Sequence, residues 1–246
     1  MKQNIYDNTE FFNSYRALRE TDDNYNILLE QPAMREMLPD LKNKSVLDLG
    51  CGFGNNCMDF INAGAKRVTG VDISKNMLSE AIKNNSHPKI DYINMPLEEI
   101  DVLELKYDFI YSSLCFHYIK DFDKLIKDAN SLLNNNGVLL FSQEHPIVTA
   151  SDQNSGEYIK NENNEPCAYC FNGYQYEGLR DGHWFVDNVI EYHRTFSTII
   201  NTLCENGFII NKILEPVPSK HALSKRPGLS KEFIKPTFLI VKAIKN

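Results

Sequence analysis

The chain has 246 residues, 42% of them apolar and 24% charged, the make-up of a globule large enough for one α/β domain with a full core. Its 26 Lys and Arg against 33 Asp and Glu leave a formal charge of −7, which argues against a nucleic-acid partner that would want a basic face. The start "MKQNIYDNTEFF" lacks an apolar core of signal-peptide length, no run is long enough to cross a bilayer, and the six scattered cysteines read as reduced thiols, so a cytoplasmic protein without a membrane span is expected.

Residues 1–40 carry Tyr6, Phe11, Phe12, Tyr15 and Tyr25 and a short predicted helix near Pro32 to Leu38, and read as a flank or lid. From Ser45 strand and helix signals alternate: strand "SVLDLG", helix "NNCMDFINAG", strand "RVTGVDI", then helix "KNMLSEAIKNN" capped by Ser74. "KIDYINM" and "YDFIYSSL" read as the third and fourth strands. "DFDKLIKDANSLLNNNG" reads as an amphipathic helix stopped by Gly137, and "GVLLFSQ" as the fifth strand. Such alternation implies right-handed crossovers and a doubly wound, mostly parallel sheet with helices on both faces.

The rhythm then breaks. Residues 144–190 are rich in Asn, Gly, Tyr and charge, too long for a structureless connection, and read as an inserted cap. Regularity returns with the helix "TFSTIINTLCENG", the strand "FIINKILEP" and a final strand "TFLIVKAI". Between Ser219 and Asn246 seven basic residues face one acid, Glu232; a solvated face is expected, with an anion-binding patch as the alternative. Cys167 and Cys170 form one C-x-x-C without the second pair a zinc site needs, so no metal is expected.

The stretch "VLDLGCGFG" places Asp48 two residues before the first of three alternating glycines, Gly50, Gly52 and Gly54. A carboxylate there would repel a pyrophosphate, Asn55 stands where the dinucleotide fingerprint wants its third glycine, and no Gly-Lys-Ser/Thr follows for a P-loop. What remains is a backbone that a ligand can approach closely, beside an acid suited to a cation. Asp72 ends the second strand, placed to accept hydrogen bonds from both hydroxyls of a ribose. A ligand with a ribose, an ammonium and a sulfonium, such as S-adenosylmethionine, fits this chemistry.

The same residues resemble the class I S-adenosylmethionine-dependent methyltransferases. "VLDLGCGFG", "VDIS" with "KNMLSEA", "NMPLEEI", "YDFIYSSLCFHYI" and "LLNNNGVLLFS" look like that family's motifs, in its order, over Ser45 to Gln143. The resemblance implies a seven-stranded sheet ordered 3-2-1-4-5-7-6 with an antiparallel last strand, and S-adenosylmethionine as cofactor, leaving S-adenosylhomocysteine. It implies Gly50, Cys51, Gly52 and Gly54 around the methionine part with Asp48 near its ammonium, and Asp72 on the ribose. Ile73, Met77, Leu97 and Glu98 would lie about the adenine, and Ser112 and Ser113 beneath the sulfonium. Asn94, Met95 and Pro96 depart from the family pattern, which commonly opens this stretch with Asp. "FSQEHPI" and "YHRTFSTIINTLCENGFIINKILEP" resemble a bacterial subgroup acting on small molecules.

Ligands of open α/β sheets bind at the carboxyl ends of the strands, which nominates His117, Glu144, His145 and His193 as catalytic or acceptor-contacting residues. Methyl transfer from a sulfonium is an in-line displacement for which alignment supplies most of the rate, and a base is needed only for an acceptor that carries a proton. The alternative for His117 is support of the fold, and for Arg194 a structural pairing. Tyr6, Phe11, Tyr15, Tyr174, Tyr176, Trp184, Phe185 and Tyr192 are filler of the flank and cap or, together, the wall of an acceptor cavity. The expected function is methylation of a small-molecule acceptor at oxygen, nitrogen or carbon. Methylation of a macromolecule and non-catalytic binding of the cofactor as a sensor are the rivals, and monomer and homodimer stay open.

Overall fold

The apolar run Ser45–Leu49 is strand β1, and all five of its residues are buried, as a central parallel strand covered on both faces requires. The computed structural model describes residues 3–151 and 156–246; residues 1–2 of the expected flank and 152–155 of the expected cap lie outside the described residues. After β1 the chain alternates α3 (Asn55–Asn62), β2 (Arg67–Asp72), α4 (Lys75–Asn84), β3 (Ile90–Asn94), β4 (Tyr107–Ser112), α5 (Phe122–Leu132) and β5 (Leu133–Glu144). It closes with α7 (Phe196–Glu205), β10 (Phe208–Leu214), the short α8 (Lys220–Lys225) and β11 (Phe238–Lys245). Helices α1 (Thr9–Glu20) and α2 (Gln31–Glu36) precede the sheet.

The sheet runs β3-β2-β1-β4-β5-β11-β10, which in the sheet's own count is 3-2-1-4-5-7-6. β11 is antiparallel to both neighbours and the other pairings are parallel. This is the doubly wound α/β fold expected from the sequence. Period-two alternation sorts the side chains: Leu47, Leu49, Ile110, Leu139 and Phe141 join the core under α5 and α7, while Val46, Val68, Phe109, Tyr111 and Leu140 join the core under α2 and α3. Asp48, even-numbered like Val46, is turned toward α3.

Two expectations are corrected. Helix α5 ends at Leu132, not at Gly137: Leu133 is already extended and pairs with Tyr107. The Asn-rich turn is taken up as a register shift inside the β4–β5 ladder, with Asn136 left-handed at φ 59°. Gly137 is needed there because a Cβ would meet the Asn134 carbonyl at 2.8 Å. The segment expected to be weakly periodic instead holds α6 (Pro146–Thr149) and two hairpins, β6 (Glu157–Lys160) with β7 (Pro166–Cys170), and β8 (Gly178–Trp184) with β9 (Val186–His193). Cys167 and Cys170 are exposed on β7, three positions apart in an extended strand, so they face opposite sides. The flank holds, besides the short helix α2 at the place expected near Pro32 to Leu38, the amphipathic α1, capped by the Asn8 side chain, which aromatic content alone did not reveal. Among the described residues, no helix is long and apolar enough to cross a membrane.

Candidate active site

The turn after β1 is left-handed at each glycine, with φ of 76° at Gly50, 52° at Gly52 and 75° at Gly54. A Cβ on Gly50 would lie 2.6 Å from the Cys115 Sγ, and one on Gly54 would lie 2.2 Å from the Tyr92 hydroxyl. At Gly52 a Cβ would meet nothing within 4 Å, because this glycine opens onto a cavity. The Gly50 and Cys51 amides donate to the Val71 carbonyl at 2.8 and 3.0 Å, which ties the turn to the end of β2. There the Asp72 carboxylate accepts from the Gly52 amide at 2.9 Å and from the Ser74 amide at 2.8 Å. Burial nevertheless raises its pKa to about 6.

Gly50, Gly52, Asp72, Ile73, Met77, Leu97, Glu98 and Ser113 line this cavity, about 110 Å³ in volume. The other residues the sequence nominated for cofactor contact, Asp48, Cys51, Gly54 and Ser112, stand behind its wall. Ser112 donates to the Leu49 carbonyl at 2.7 Å, and Cys51 is buried beside Cys57. Asp48 is buried too: the Cys57 thiol donates to Oδ2 at 3.4 Å, Oδ1 has no partner, and burial pushes the pKa up to about 7. A cation held over the turn would relieve that charge. The open face at Gly52 and the orphaned Asp48 oxygen both fit a cationic ligand that lies against bare backbone.

The N-terminal segment forms the opposite wall through Gln3, Ile5, Tyr6 and Tyr15. It is anchored at three points. Asp7 accepts from the Ser74 hydroxyl at 2.6 Å and the Asn76 amide at 3.1 Å, adding a second acid to the N-terminus of α4. The Gln3 side chain bonds the Asn188 carbonyl and the Ile190 amide of β9 at 2.6 and 2.9 Å. Glu30, wholly buried, accepts from Ser113 at 2.9 Å, Ser142 at 2.5 Å and Asn26 at 2.7 Å, and so pins the segment before α2 to the ends of β4 and β5.

Behind Tyr6 and Tyr15 lies a second cavity of about 400 Å³, which shares Tyr6, Tyr15, Leu114 and Tyr118 with the first. Tyr6 stands edge-on to Tyr15 at 5.2 Å, and Tyr15 to Trp184 of the β8–β9 hairpin at 5.8 Å, so one aromatic cluster joins the N-terminal segment and the hairpin. Of the other aromatics, Tyr176 is exposed, and the Tyr174 hydroxyl accepts from the Phe196 amide at the start of α7.

The second cavity separates the catalytic candidates. Glu144 and His117 line it. The His117 ring accepts at Nδ1 from the Glu144 amide at 3.4 Å, and burial together with the Arg194 charge lowers its pKa to about 3, so it stays neutral. His145 and His193 are turned elsewhere, a correction to the expectation that they meet the acceptor. His145 caps α6, accepting at Nδ1 from the Ile147 amide at 3.1 Å and donating from Nε2 to Glu215 at 2.8 Å. His193 donates from Nε2 to the Tyr174 carbonyl at 2.9 Å and accepts at Nδ1 from Thr149 at 2.8 Å. Both rings are thereby spent on local structure. Arg194 donates to the carbonyls of Ile119 and Lys120 and stacks over Phe122 at 5.0 Å, a structural clamp. The sequence reading missed Glu191, buried on β9 with Val189 and His193 on the same strand face, and Glu30; the alternation of "VIEYH" was the available signal.

Comparison with known proteins agrees with this geometry. A family model described as a methyltransferase domain matches residues 46–137. An uncharacterized protein of Haemophilus influenzae is 37% identical over 99% of this chain and 98% of its own. A solved S-adenosylmethionine dependent methyltransferase from Mesorhizobium loti is 32% identical, covers 93% of this chain and 100% of its own, and superposes with a TM-score of 0.81. A Listeria monocytogenes structure assigned to the same enzymes is 36% identical over 88% of this chain and 98% of its own, with a TM-score of 0.79. The chain belongs to the S-adenosylmethionine-dependent methyltransferases, and it is an enzyme of that class with S-adenosylmethionine as its cofactor.

Proposed function

We propose that the enzyme methylates a small-molecule acceptor held in the second cavity. The observation that carries this reading is a space of about 400 Å³ that adjoins the glycine-lined one and is walled by the N-terminal segment, the β8–β9 hairpin and strand ends. A small acceptor fits a pocket of this size, and the N-terminal segment and the β8–β9 hairpin both contribute to its wall. In this reading Asp72 holds the ribose hydroxyls, Ile73, Met77 and Leu97 pack on the adenine with Glu98 at its edge, and Gly50 and Gly52 back the methionine part. Asp48 supports the ammonium from one layer below. When bound, S-adenosylmethionine supplies a methyl group on a sulfonium. Tyr6, Tyr15 and Tyr118, whose hydroxyls burial keeps protonated, lie where the two cavities meet and exclude water from the transfer path.

The test is incubation of the protein with methyl-labelled S-adenosylmethionine and a cell extract, followed by separation of small molecules, lipids, nucleic acid and protein. Label in the small-molecule fraction, absent with Asp72→Ala, is the expected result. Label in a polymer would replace this substrate class, and cofactor binding without transfer to any fraction would favour a sensor.

A further inference from the structure

Glu144, at the carboxyl end of β5, and Glu191, on β9, meet across the second cavity. With His117 they place a carboxylate oxygen each and a ring nitrogen within 4.8 Å of one another. Glu191 is only 6% exposed, and its Oε2 is buried without a hydrogen-bond partner. A buried, unpartnered carboxylate oxygen beside a second carboxylate is costly, and a fold that needed only packing would place an apolar side chain there. Burial drives both acids above the usual range, Glu191 the further because the Glu144 charge and a hydrogen bond shared with Glu144 both favour a proton on it. Lys235 offsets part of the charge at Glu144 but answers first to Glu232, and the two arginines that also line the cavity, Arg19 and Arg226, lie over the Tyr15 and Tyr25 rings.

His117 does not turn this group into a metal centre. Its Nδ1 lone pair accepts the Glu144 amide, so the neutral ring carries its proton on Nε2 and has no lone pair left to offer. Two carboxylates without a third donor suit an organic cation. The rings of Tyr6, Tyr15, Tyr118 and Trp184 in the same wall supply the π faces that favour one.

We propose that Glu144 and Glu191 form an ammonium-binding, proton-accepting subsite, and that the methyl acceptor is an amine that enters as its ammonium ion. This rests on the small-molecule methyl-transfer reading and narrows it. The ammonium gives one proton to the carboxylate pair. The freed nitrogen lone pair then forms the new N–C bond as the S–C bond breaks, its electron pair staying on sulfur. The methylated product leaves as an ammonium ion, and the carboxyl pair returns its proton to water.

Trp184, the single tryptophan of the chain and part of the cavity wall, reports occupancy by its fluorescence. With the protein saturated in S-adenosylhomocysteine, phenethylamine, 2-phenylethanol and phenylacetate are titrated in parallel; they share a ring and differ in charge. The amine is expected to bind about tenfold or more tighter than the alcohol, and the carboxylate weakest of the three. Glu144→Gln and Glu191→Gln should each erase most of that preference while S-adenosylhomocysteine binding, read by calorimetry, is unchanged. Equal affinities, tighter binding of the alcohol or carboxylate, no saturable response to the amine, or a preference that survives both substitutions overturns the subsite. Should a variant fail to fold, the three-ligand comparison on the unaltered protein decides alone. Label in a polymer in the extract experiment would sink the small-molecule reading itself, whereas a lost amine preference with label in a small molecule sinks only this inference.

Discussion

The two cavities share a wall but are built in different ways. The first is made by strand ends and the turns that follow them, from residues within one stretch of chain between Gly50 and Ile119, with the N-terminal segment as the opposite wall. The second is assembled from α1, the chain after β4, the end of β5 and the β8–β9 hairpin, with Arg226 and Thr237 from far along the sequence. A site made of consecutive turns is fixed by local backbone geometry, and its chemistry tolerates little change. A site made of distant surfaces is fixed by packing, and side chains can be exchanged there without disturbing the sheet. In the proposed reading the first cavity, as the cofactor side, therefore carries the class of enzyme, and the second, as the acceptor side, carries its individuality.

The sharpest way to break this contrast is at the glycine turn. Asp72→Ala removes the acid that positions the Gly52 and Ser74 amides and faces the first cavity, and should weaken S-adenosylhomocysteine binding by ~100-fold in calorimetry. Gly54→Ala and Gly52→Ala then separate fold from binding. At Gly54 the new methyl would strike the Tyr92 hydroxyl in a left-handed backbone, so stability should fall by ~3 kcal/mol in denaturant unfolding. At Gly52 no protein atom stands in the way, so the folded state should lose ~1 kcal/mol of backbone strain while cofactor affinity drops at least ~10-fold. Equal stability losses at the two positions would contradict the open face assigned to Gly52.

Asp48 gives a pH-resolved version of the same test. Its folded pKa of about 7 lies above the ordinary 3.8, so between those values the native state holds a proton that the unfolded chain has lost. Stability of the cofactor-free protein therefore falls as pH rises from about 4 through 7, by up to ~4 kcal/mol from this group. Asp48→Asn, which does not titrate, should melt higher than the unaltered protein at pH 8, with the difference closing as pH falls to about 4. The same substitution should weaken S-adenosylhomocysteine binding, since the orphaned charge is what a bound ammonium would relieve.

The sheet, its strand order and the glycine turn were legible because parallel strands buried on both faces leave continuous apolar runs, and because the turn needs three left-handed residues in a fixed phase. Asp48 and Asp72 were legible as acids at strand ends. The placement of His145 and His193 was not: position after a strand says which end of the sheet a residue lies near, but not which way its ring turns, and α6 and Thr149 claim those rings. Glu191 was hidden for a related reason. Its strand belongs to a hairpin outside the main sheet, whose polar, aromatic-rich sequence masked the alternation that brings residue 191 inward. The anchoring of the N-terminal segment by Glu30 joins residues 83 and 112 positions apart, a separation that no local pattern announces.

A smaller effect is expected on the shared wall. Tyr6 borders both cavities and packs edge-on against Phe11 at 4.9 Å and Tyr15 at 5.2 Å. Tyr6→Ala should lower S-adenosylhomocysteine affinity ~5-fold, with little change in melting temperature, because the sheet does not depend on it. Equal loss of affinity and of stability would mean that the segment is part of the core rather than a cover.

The smallest effect should come from His117, the residue that sequence position alone makes most attractive as a base. Catalysis by a general base would make its removal cost ~10²-fold or more and leave an inflection near pH 6.5 in the rate. The structure points the other way: with a pKa of about 3, the ring is neutral at any working pH, and its Nδ1 serves the Glu144 amide. His117→Asn keeps an acceptor for that amide, so turnover of the labelled cofactor should fall no more than ~5-fold and the pH–rate profile between about pH 5.5 and 8 should keep its shape. Because the folded pKa lies below the unfolded 6.5, the unaltered protein loses stability as pH falls from about 6.5 toward 3, and the variant should lose less. If the variant instead abolishes turnover and removes an inflection near neutrality, the proton acceptor is the histidine and the carboxylate pair beside it only orients the ring.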